Sequence, residues 1–206
     1  MQITPTLSIW TRLVVLTICL SLWLVVFFSI NNLSGKSRRL YDFSTQLDCN
    51  LPFLPNFFWA YLSAYAFVIF PFFLISDTGL YVRVISGYIL VSVICMLIHI
   101  FFPSRVIRVE QVEPVEISKT PIFWFQKLCK PHGNFPSMHA GYGVILVLNF
   151  FLFSDPLLAS IVLLWEISIL LSTLFTKQHY VLDVLSGLFV GIICAVIPNI
   201  AIITIL

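Results

Sequence analysis

The sequence predicts an all-α, polytopic membrane protein in which six transmembrane helices form a single bundle. Of its 206 residues, 60% are hydrophobic and only 10% are charged. A soluble globular domain carries about 25% charged residues, and one this apolar would expose large patches that promote aggregation. A lipid bilayer suits such a surface, so the composition excludes an ordinary soluble domain.

Six apolar runs are each long enough to cross a bilayer, because a hydrocarbon core about 30 Å thick needs about 20 helical residues. The runs are Trp10–Ile30, Phe57–Ile75, Leu80–Phe102, Met138–Ser154, Leu157–Phe175 and Val184–Leu206. A membrane barrel would need short alternating segments instead, and these are absent. The first run is too long for a signal peptide, so we expect a retained first helix. We expect residues 1–206 to form one domain.

Six spans place three loops together on one membrane face. These are loop one (Asn31–Asn56), loop three (Pro103–Ser137) and loop five (Thr176–Asp183). The two loops of the opposite face are very short, so we expect an active site on the loop-rich face. Within loop three, the aromatic and basic run from Pro121 to Lys130 is either an interfacial helix or a plain connection.

Positive charge follows the same loops. Nine of the eleven Lys and Arg residues lie there: Lys36, Arg38, Arg39, Arg105, Arg108, Lys119, Lys127, Lys130 and Lys177. The positive-inside rule would place these loops in the cytoplasm. A site that binds an anionic phosphate gives a second reason for the same charge.

The cysteines and glycines suggest packing rather than metal binding. Cys49 and Cys129 lie in loops of the same face, where an oxidising compartment would let them form a disulfide. No pair of cysteines has zinc-ligand spacing, so the sequence predicts no metal site and no cofactor. Gly187 and Gly191 form a GxxxG pattern that is typical of close helix packing.

The segment from Gly133 to His139, with sequence GNFPSMH, immediately precedes an apolar run. Pro136 and Ser137 are residues that favour a helix start. A helix N-terminus offers free N–H groups that bind phosphate. His139 would project from the first turn, where it could donate a proton to a leaving oxygen.

A second histidine has a carboxylate four residues away. If helical, His179 and Asp183 would share one face. A carboxylate that accepts from one ring nitrogen fixes the tautomer and leaves the other nitrogen as a nucleophile. A purely structural pair is the alternative interpretation. His99 has the simpler explanation of a satisfied polar side chain in a bundle, and His132 that of a solvated one.

These two segments resemble motifs of the type 2 phosphatidic acid phosphatase superfamily, written PSGH and SRxxxxxHxxxD. Residues 136–139 match the first with Met138 in place of glycine. Ser172, His179 and Asp183 match the second, and Thr173 stands in place of its arginine. In a further motif, KxxxxxxRP, Arg108 can supply the arginine, whereas Phe101 occupies the lysine position.

The resemblance extends to a branch of the superfamily. Leu47–Pro55 and Phe58–Ser63 are similar to inositol phosphorylceramide synthases, which transfer a phospho-headgroup between lipids. The superfamily has six helices with its motifs on one membrane face. That resemblance implies a site on the periplasmic, lumenal or outer face, whereas the positive charge of the loops favours the cytoplasm.

The resemblance also implies roles for named residues. His179, oriented by Asp183, would attack phosphorus to form a phosphohistidine, and His139 would serve as general acid and then general base. The candidates for binding the phosphate are Arg108, Arg105, Ser137 and Lys177. The expected partner is a lipid phosphate or phospholipid, without nucleic acid.

Two alternatives stay open beside a metal-independent lipid phosphatase. The loss of two cations from the family pattern favours a singly charged diester, and therefore a headgroup transferase resembling inositol phosphorylceramide or sphingomyelin synthases. Glu166, in the middle of the fifth span, raises transport as a different class, because an intramembrane carboxylate is costly. Transporters usually show repeats or paired broken helices, which are not visible here.

Overall fold

The computed structural model describes residues 6–34, 39–108, 120–128 and 131–205. Within these ranges the regular structure is helical, with isolated bridges between loops but no strand. The α-helices are α1 (Ile9–Ser34), α2 (Gln46–Asn50), α3 (Phe58–Leu74), α4 (Thr78–Phe101), α5 (Pro121–Leu128), α6 (Met138–Phe153), α7 (Pro156–Phe175) and α8 (Val181–Ile205). A 3-10 turn, Pro55–Phe57, leads into α3.

The six predicted spans correspond to α1, α3, α4, α6, α7 and α8. Five of these helices are long and apolar enough to cross a membrane, and α6 is a shorter apolar helix of 16 residues. Large apolar side chains such as Trp10, Leu157 and Phe189 remain exposed on the outside of the bundle, as lipid contact requires. The predicted all-α, multi-pass membrane fold is confirmed.

Helix α6 lies at the centre of the bundle and packs against α3, α4, α7 and α8. The fully buried side chains Val84, Val91, Ile145 and Leu146 join α4 to α6 in the core. Helix α1 packs at the periphery against α3 and α4, with little of its surface buried.

The GxxxG pattern of α8 lies against the start of α6. A Cβ atom on Gly187 would stand 2.2 Å from the carbonyl oxygen of Ser137, and one on Gly191 would stand 2.7 Å from that of Gly141. Only glycine permits such an approach of the two backbones. The predicted close packing is therefore confirmed, and it brings the first turns of α6 and α8 together.

The end of the bundle opposite this junction consists of short turns with capped helix starts. Asp77 caps α4 by accepting from Leu80 N–H at 2.7 Å. Asp155 caps α7 by accepting from Leu157 N–H at 2.9 Å. Arg12 donates to the carbonyl oxygens of Phe73 and Ile75 at the end of α3. Loops one, three and five meet at the other end, as predicted.

The structure differs from the predicted boundaries at the end of α1, which continues to Ser34 instead of ending at Ile30, and at the start of α8. This helix begins at Val181 rather than Val184, so Asp183 lies in its first turn and not in loop five. The aromatic run of loop three is the helix α5, so the plain-connection alternative is wrong. Cys49 is exposed, while Cys129 lies outside the described residues, so their pairing stays a prediction. Lys36, Arg38, Lys119 and Lys130 also lie outside these ranges.

Candidate active site

Ser137 forms the start of α6, as its sequence context predicts. It is the N-cap residue, and its hydroxyl oxygen accepts from Ala140 N–H at 3.5 Å. Its own N–H donates to the main-chain oxygen of Asp183 at 2.9 Å. Because Ser137 is fully buried, this bond fixes the first turn of α6 against the first turn of α8.

His139 and His179 meet at this junction. The Nδ1 atom of His139 lies 3.2 Å from Nε2 of His179, and the ring centroids are 5.4 Å apart at an interplanar angle of 70°. His179 is buried and His139 is half-buried. The two histidines that the sequence selected from separate segments therefore form one pair.

Asp183 lies on the other side of His179. Its Oδ2 atom is 3.4 Å from His179 Nδ1, and its side chain is almost fully buried. The His179 Nδ1 atom makes no hydrogen bond in the described part of the chain, so the contact is close but not yet aligned. Catalytic hydrogen bonds often tighten only when substrate binds.

The predicted geometry of this pair needs one correction. His179 lies in the turn before α8, so His179 and Asp183 do not share a helix face. Asp183 instead occupies the third position of α8 and reaches back, with Oδ2 accepting from Tyr180 N–H at 2.9 Å. This is one half of a capping box, and it brings the carboxylate beside His179.

The turn that carries His179 closes onto the end of α7. The N–H groups of Gln178 and His179 both donate to the carbonyl oxygen of Thr173, at 2.9 and 3.2 Å. The Thr173 hydroxyl donates to Leu170 O within its own helix and is fully buried. The position of the motif's arginine is therefore occupied here by a buried hydroxyl that bonds within its own helix.

Aromatic side chains form one wall beside His139. The ring centroids of Tyr61 and Tyr65, on α3, lie 5.4 and 6.4 Å from that of His139. Phe125 of α5 packs edge-on against Tyr61 at 5.5 Å. Helix α5 thus covers the site from the side of α3.

Arg108 and Arg105 occupy different environments. Arg108 is buried and donates to the main-chain oxygen of Gln126 on α5. Gln126 in turn donates from Nε2 to Thr176 O, at the end of α7, at 3.3 Å. Arg105 is exposed, and its main chain pairs with Tyr41 of loop one. Arg108 is therefore connected to loop five through α5.

The ammonium group of Lys177 contacts loop one. Its Nζ atom donates to the carbonyl oxygens of Asp48 and Leu51, at 2.8 and 2.7 Å. Burial lowers the pKa of Lys177, and the nearby Asp48 opposes that shift. Two of its three donors are thus directed at the protein main chain.

Two further ionisable groups lie within the bundle. His99 is buried and its Nε2 atom lies 3.2 Å from Pro136 O, which confirms the interpretation of a satisfied polar side chain. Glu166 is also buried, and within the described structure neither of its carboxylate oxygens has a hydrogen-bond partner. Its side chain lies over Gly143, where a Cβ atom would stand 1.8 Å from Glu166 Cδ.

Sequence reasoning missed the roles of Asp48, Gln126 and Tyr180. Tyr180 accepts from Ile107 N–H at 3.0 Å through its phenol oxygen and so ties loop three to loop five. Burial raises the pKa of this phenol. Of these three residues, only Asp48 had a recognisable sequence pattern, because Thr45 and Asp48 have the spacing of a capping box at a helix start.

The chain is similar to known proteins in sequence and in fold. Residues 78–202, which include both histidines, match the PAP2 superfamily. The crystal structure of Aquifex aeolicus LpxE has a similar fold, with a TM-score of 0.50 and 20% sequence identity. The similarity covers 85% of this chain and 93% of that one. No curated protein matches the chain.

Proposed function

Since residues 78–202 match it, the chain belongs to the PAP2 superfamily, and we propose that it is a membrane-embedded lipid phosphate phosphohydrolase. The observation that carries this proposal is the row of three side chains at the junction of α6 and α8. His139 Nδ1 lies 3.2 Å from His179 Nε2, and His179 Nδ1 faces Asp183 at 3.4 Å. The imidazole of His179 thus has the general acid His139 beside its reactive Nε2 atom and the carboxylate of Asp183 beside its Nδ1 atom.

The first step forms a phosphohistidine. With its Nδ1 proton directed at Asp183, His179 presents the lone pair of Nε2 to the phosphorus of the substrate. The new N–P bond forms as the bond between phosphorus and the lipid oxygen breaks. His139 gives its Nδ1 proton to the departing oxygen, and the lipid leaves as an alcohol.

The second step regenerates the enzyme. His139, now the base, takes a proton from water while the water oxygen attacks phosphorus. The N–P bond breaks, its electron pair returns to His179 Nε2, and inorganic phosphate is released. General acid and base assistance of this kind contributes roughly 10²–10⁴-fold.

The phosphoryl oxygens need positive partners near this pair. The N-terminus of α6 supplies the positive end of a helix dipole next to His139. Arg108 is our main candidate cation, because it is held near loop five through Gln126. Arg105 is exposed at the same end and can attract the headgroup, whereas Lys177 supports the fold more than the ligand. Ser137 contributes through its hydroxyl, since its N–H is already donated to Asp183.

A headgroup transferase of the inositol phosphorylceramide synthase type is the second candidate. The observation that favours it is Thr173, which replaces the family's arginine with a buried hydroxyl. A phosphodiester carries one negative charge at the reacting phosphorus and needs fewer cations. In this reaction a lipid alcohol takes the place of water in the second step.

The test is phosphate release by the purified chain in detergent. The substrates are phosphatidic acid, a prenyl pyrophosphate and a lipid phosphodiester. We expect release from a monoester or pyrophosphate, and a fall of roughly 10³-fold or more in His179→Ala, because the nucleophile is lost. Release that persists in His179→Ala would refute the mechanism. If the unchanged chain releases no phosphate, the next assay adds a lipid alcohol acceptor to the lipid phosphodiester. That assay tests for transfer of the headgroup.

A further inference from the structure

Asp48, in the short helix α2 of loop one, is a buried carboxylate that the proposed reaction does not use. Its side chain is 7% exposed, although it lies in a loop at the end of the bundle. We infer that Asp48 and Lys177 are positioning residues, whose contacts hold loop one against the turn that carries His179. These contacts of Asp48 and Lys177 are called the clasp below. This inference rests on the proposed function and deepens it.

The carboxylate of Asp48 caps α8 from a distant part of the chain. Its Oδ1 atom accepts from Val181 N–H at 2.8 Å. Val181 is the first residue of α8, and an amide at that position has no partner within its own helix. A negative charge at a helix N-terminus is also favoured by the helix dipole. Asp48 thus holds the chain two residues after His179.

The other oxygen of Asp48 fixes the carboxylate itself. Oδ2 accepts from both the N–H and the hydroxyl of Thr45, each at 2.7 Å. The bond from Thr45 N–H belongs to the capping box of α2, so the short helix and the start of α8 share one buried carboxylate. A buried carboxylate that accepts from three donors through both of its oxygens is held in one orientation.

Lys177 makes the matching contact two residues before His179. Its main chain has a φ of 53°, in the left-handed region that few non-glycine residues adopt. Its Nζ atom donates to Asp48 O and Leu51 O, at 2.8 and 2.7 Å. Leu54 N–H adds a third link by donating to Phe175 O at 3.0 Å.

These contacts bracket the proposed nucleophile. Loop one holds the main chain or side chains at Phe175, Lys177 and Val181, and His179 lies between them. Loops are mobile unless they are tied down, and a displacement of about 1 Å at a reacting group can cost about 10²-fold in rate. Among the described residues, neither the Asp48 carboxylate nor the Lys177 ammonium group hydrogen-bonds to His179, so both act through the backbone of the turn.

The experiment compares Asp48→Ala, Asp48→Asn and Lys177→Met in the purified full-length chain. Hydrogen exchange of residues 176–183 measures the clasp without any substrate, and phosphate release from phosphatidic acid gives kcat and KM. The matched control is Asp155→Ala, which also removes a helix-capping carboxylate but at the opposite end of α7.

We expect Asp48→Ala to speed exchange in residues 176–183 and to lower kcat by about 10²-fold, with KM changed less than about twofold. Asp48→Asn keeps an oxygen for Val181 N–H and is expected to recover most of kcat. Lys177→Met should behave like Asp48→Ala and provides the test if that variant does not fold. Asp155→Ala should leave both local exchange and kcat unchanged.

Unchanged exchange in both Asp48→Ala and Lys177→Met would overturn the clasp. Faster exchange with an unchanged kcat would overturn its positioning role. If the unchanged chain releases no phosphate but the two variants still exchange faster than Asp155→Ala, the clasp is supported and the proposed hydrolysis is what fails.

Discussion

At the residue scale, Asp183 connects both histidines through two different groups. Its main-chain oxygen accepts from Ser137 N–H and so fixes the helix start that carries His139. Its carboxylate accepts from Tyr180 N–H and faces His179. Because the two functions use different atoms, a side-chain substitution can separate them.

Asp183→Asn should therefore fold and still slow the reaction. The main-chain bond to Ser137 remains, but an amide can donate to His179 and stabilise the wrong tautomer. We expect kcat to fall by roughly 10²–10⁴-fold, as for other oriented histidines, and the melting temperature to change by a few degrees. Asp155→Asn is the control for loss of a carboxylate at a helix start. Activity of Asp183→Asn close to that of the unchanged chain would exclude the orienting role.

A substitution of Glu166, also at the residue scale, distinguishes an enzyme from a transporter. Its carboxylate is buried beside Gly143 and has no hydrogen-bond partner among the described residues. Gln has nearly the same size and no charge, so we expect Glu166→Gln to keep phosphate release within about threefold. Flux of a solute in proteoliposomes is the second measurement. Flux that Glu166→Gln abolishes and His179→Ala leaves intact would refute the enzyme interpretation.

At the element scale, the site depends on how closely α6 and α8 approach. Gly187 faces the Ser137 carbonyl with no space for a Cβ atom, and Gly191 does the same for Gly141. The first turns of the two helices therefore meet where His139 and His179 lie. Helix α5 packs its buried Ile122 against α3 and covers this junction.

Gly187→Ala should separate the two histidines. A Cβ atom 2.2 Å from Ser137 O forces α6 and α8 apart, and we expect at least a roughly 10²-fold loss of kcat because the reacting groups are displaced. A lower melting temperature should accompany it. Leu185→Ala, on the exposed side of the same helix, is the control and should keep its activity. A fully active Gly187→Ala would show that this contact does not set the site.

The sequence was sufficient for the helices and for the histidines, but not for the links between loops. Long apolar runs are a strong local signal, so most span bounds were close. The exceptions are the end of α1, which continues to Ser34, and the start of α8 at Val181, where the polar Asp183 of the first turn concealed the helix start. His139 and His179 could be identified because each has its own motif. The contacts of Asp48 with Val181, and of Lys177 with Leu51, join segments more than 120 residues apart. Such pairs depend on three-dimensional packing and leave no periodic pattern.

At the scale of the whole molecule, loops one, three and five converge at one end of the bundle, and the opposite end consists of short capped turns. Most of the chain's positive charge is in those loops. The positive-inside rule favours the cytoplasm for them, whereas we propose the periplasmic, lumenal or outer face, because phosphate binding explains the charge.

Labelling of Cys49 distinguishes these orientations. Cys49 is exposed in loop one, and Cys129→Ser would leave it as the thiol outside the spans. We expect a membrane-impermeant maleimide to label Cys49 in intact cells. A cysteine introduced at Ser154, in the opposite turn, should react only after permeabilisation once Cys49 and Cys129 are serine. The reverse pattern would place the site in the cytoplasm.

The measurement that tests the central claim most directly is the trapping of a phosphoenzyme. The purified chain would be mixed with ³²P-labelled phosphatidic acid and quenched within milliseconds. Our account predicts a labelled protein whose phosphate is stable in base and labile in acid, as a phosphohistidine is. The label should be absent in His179→Ala. In His139→Ala, which lacks both the acid of the first step and the base of the second, it should form more slowly and, once formed, persist longer. Phosphate release without any labelled protein, or a label that survives in His179→Ala, would contradict the account.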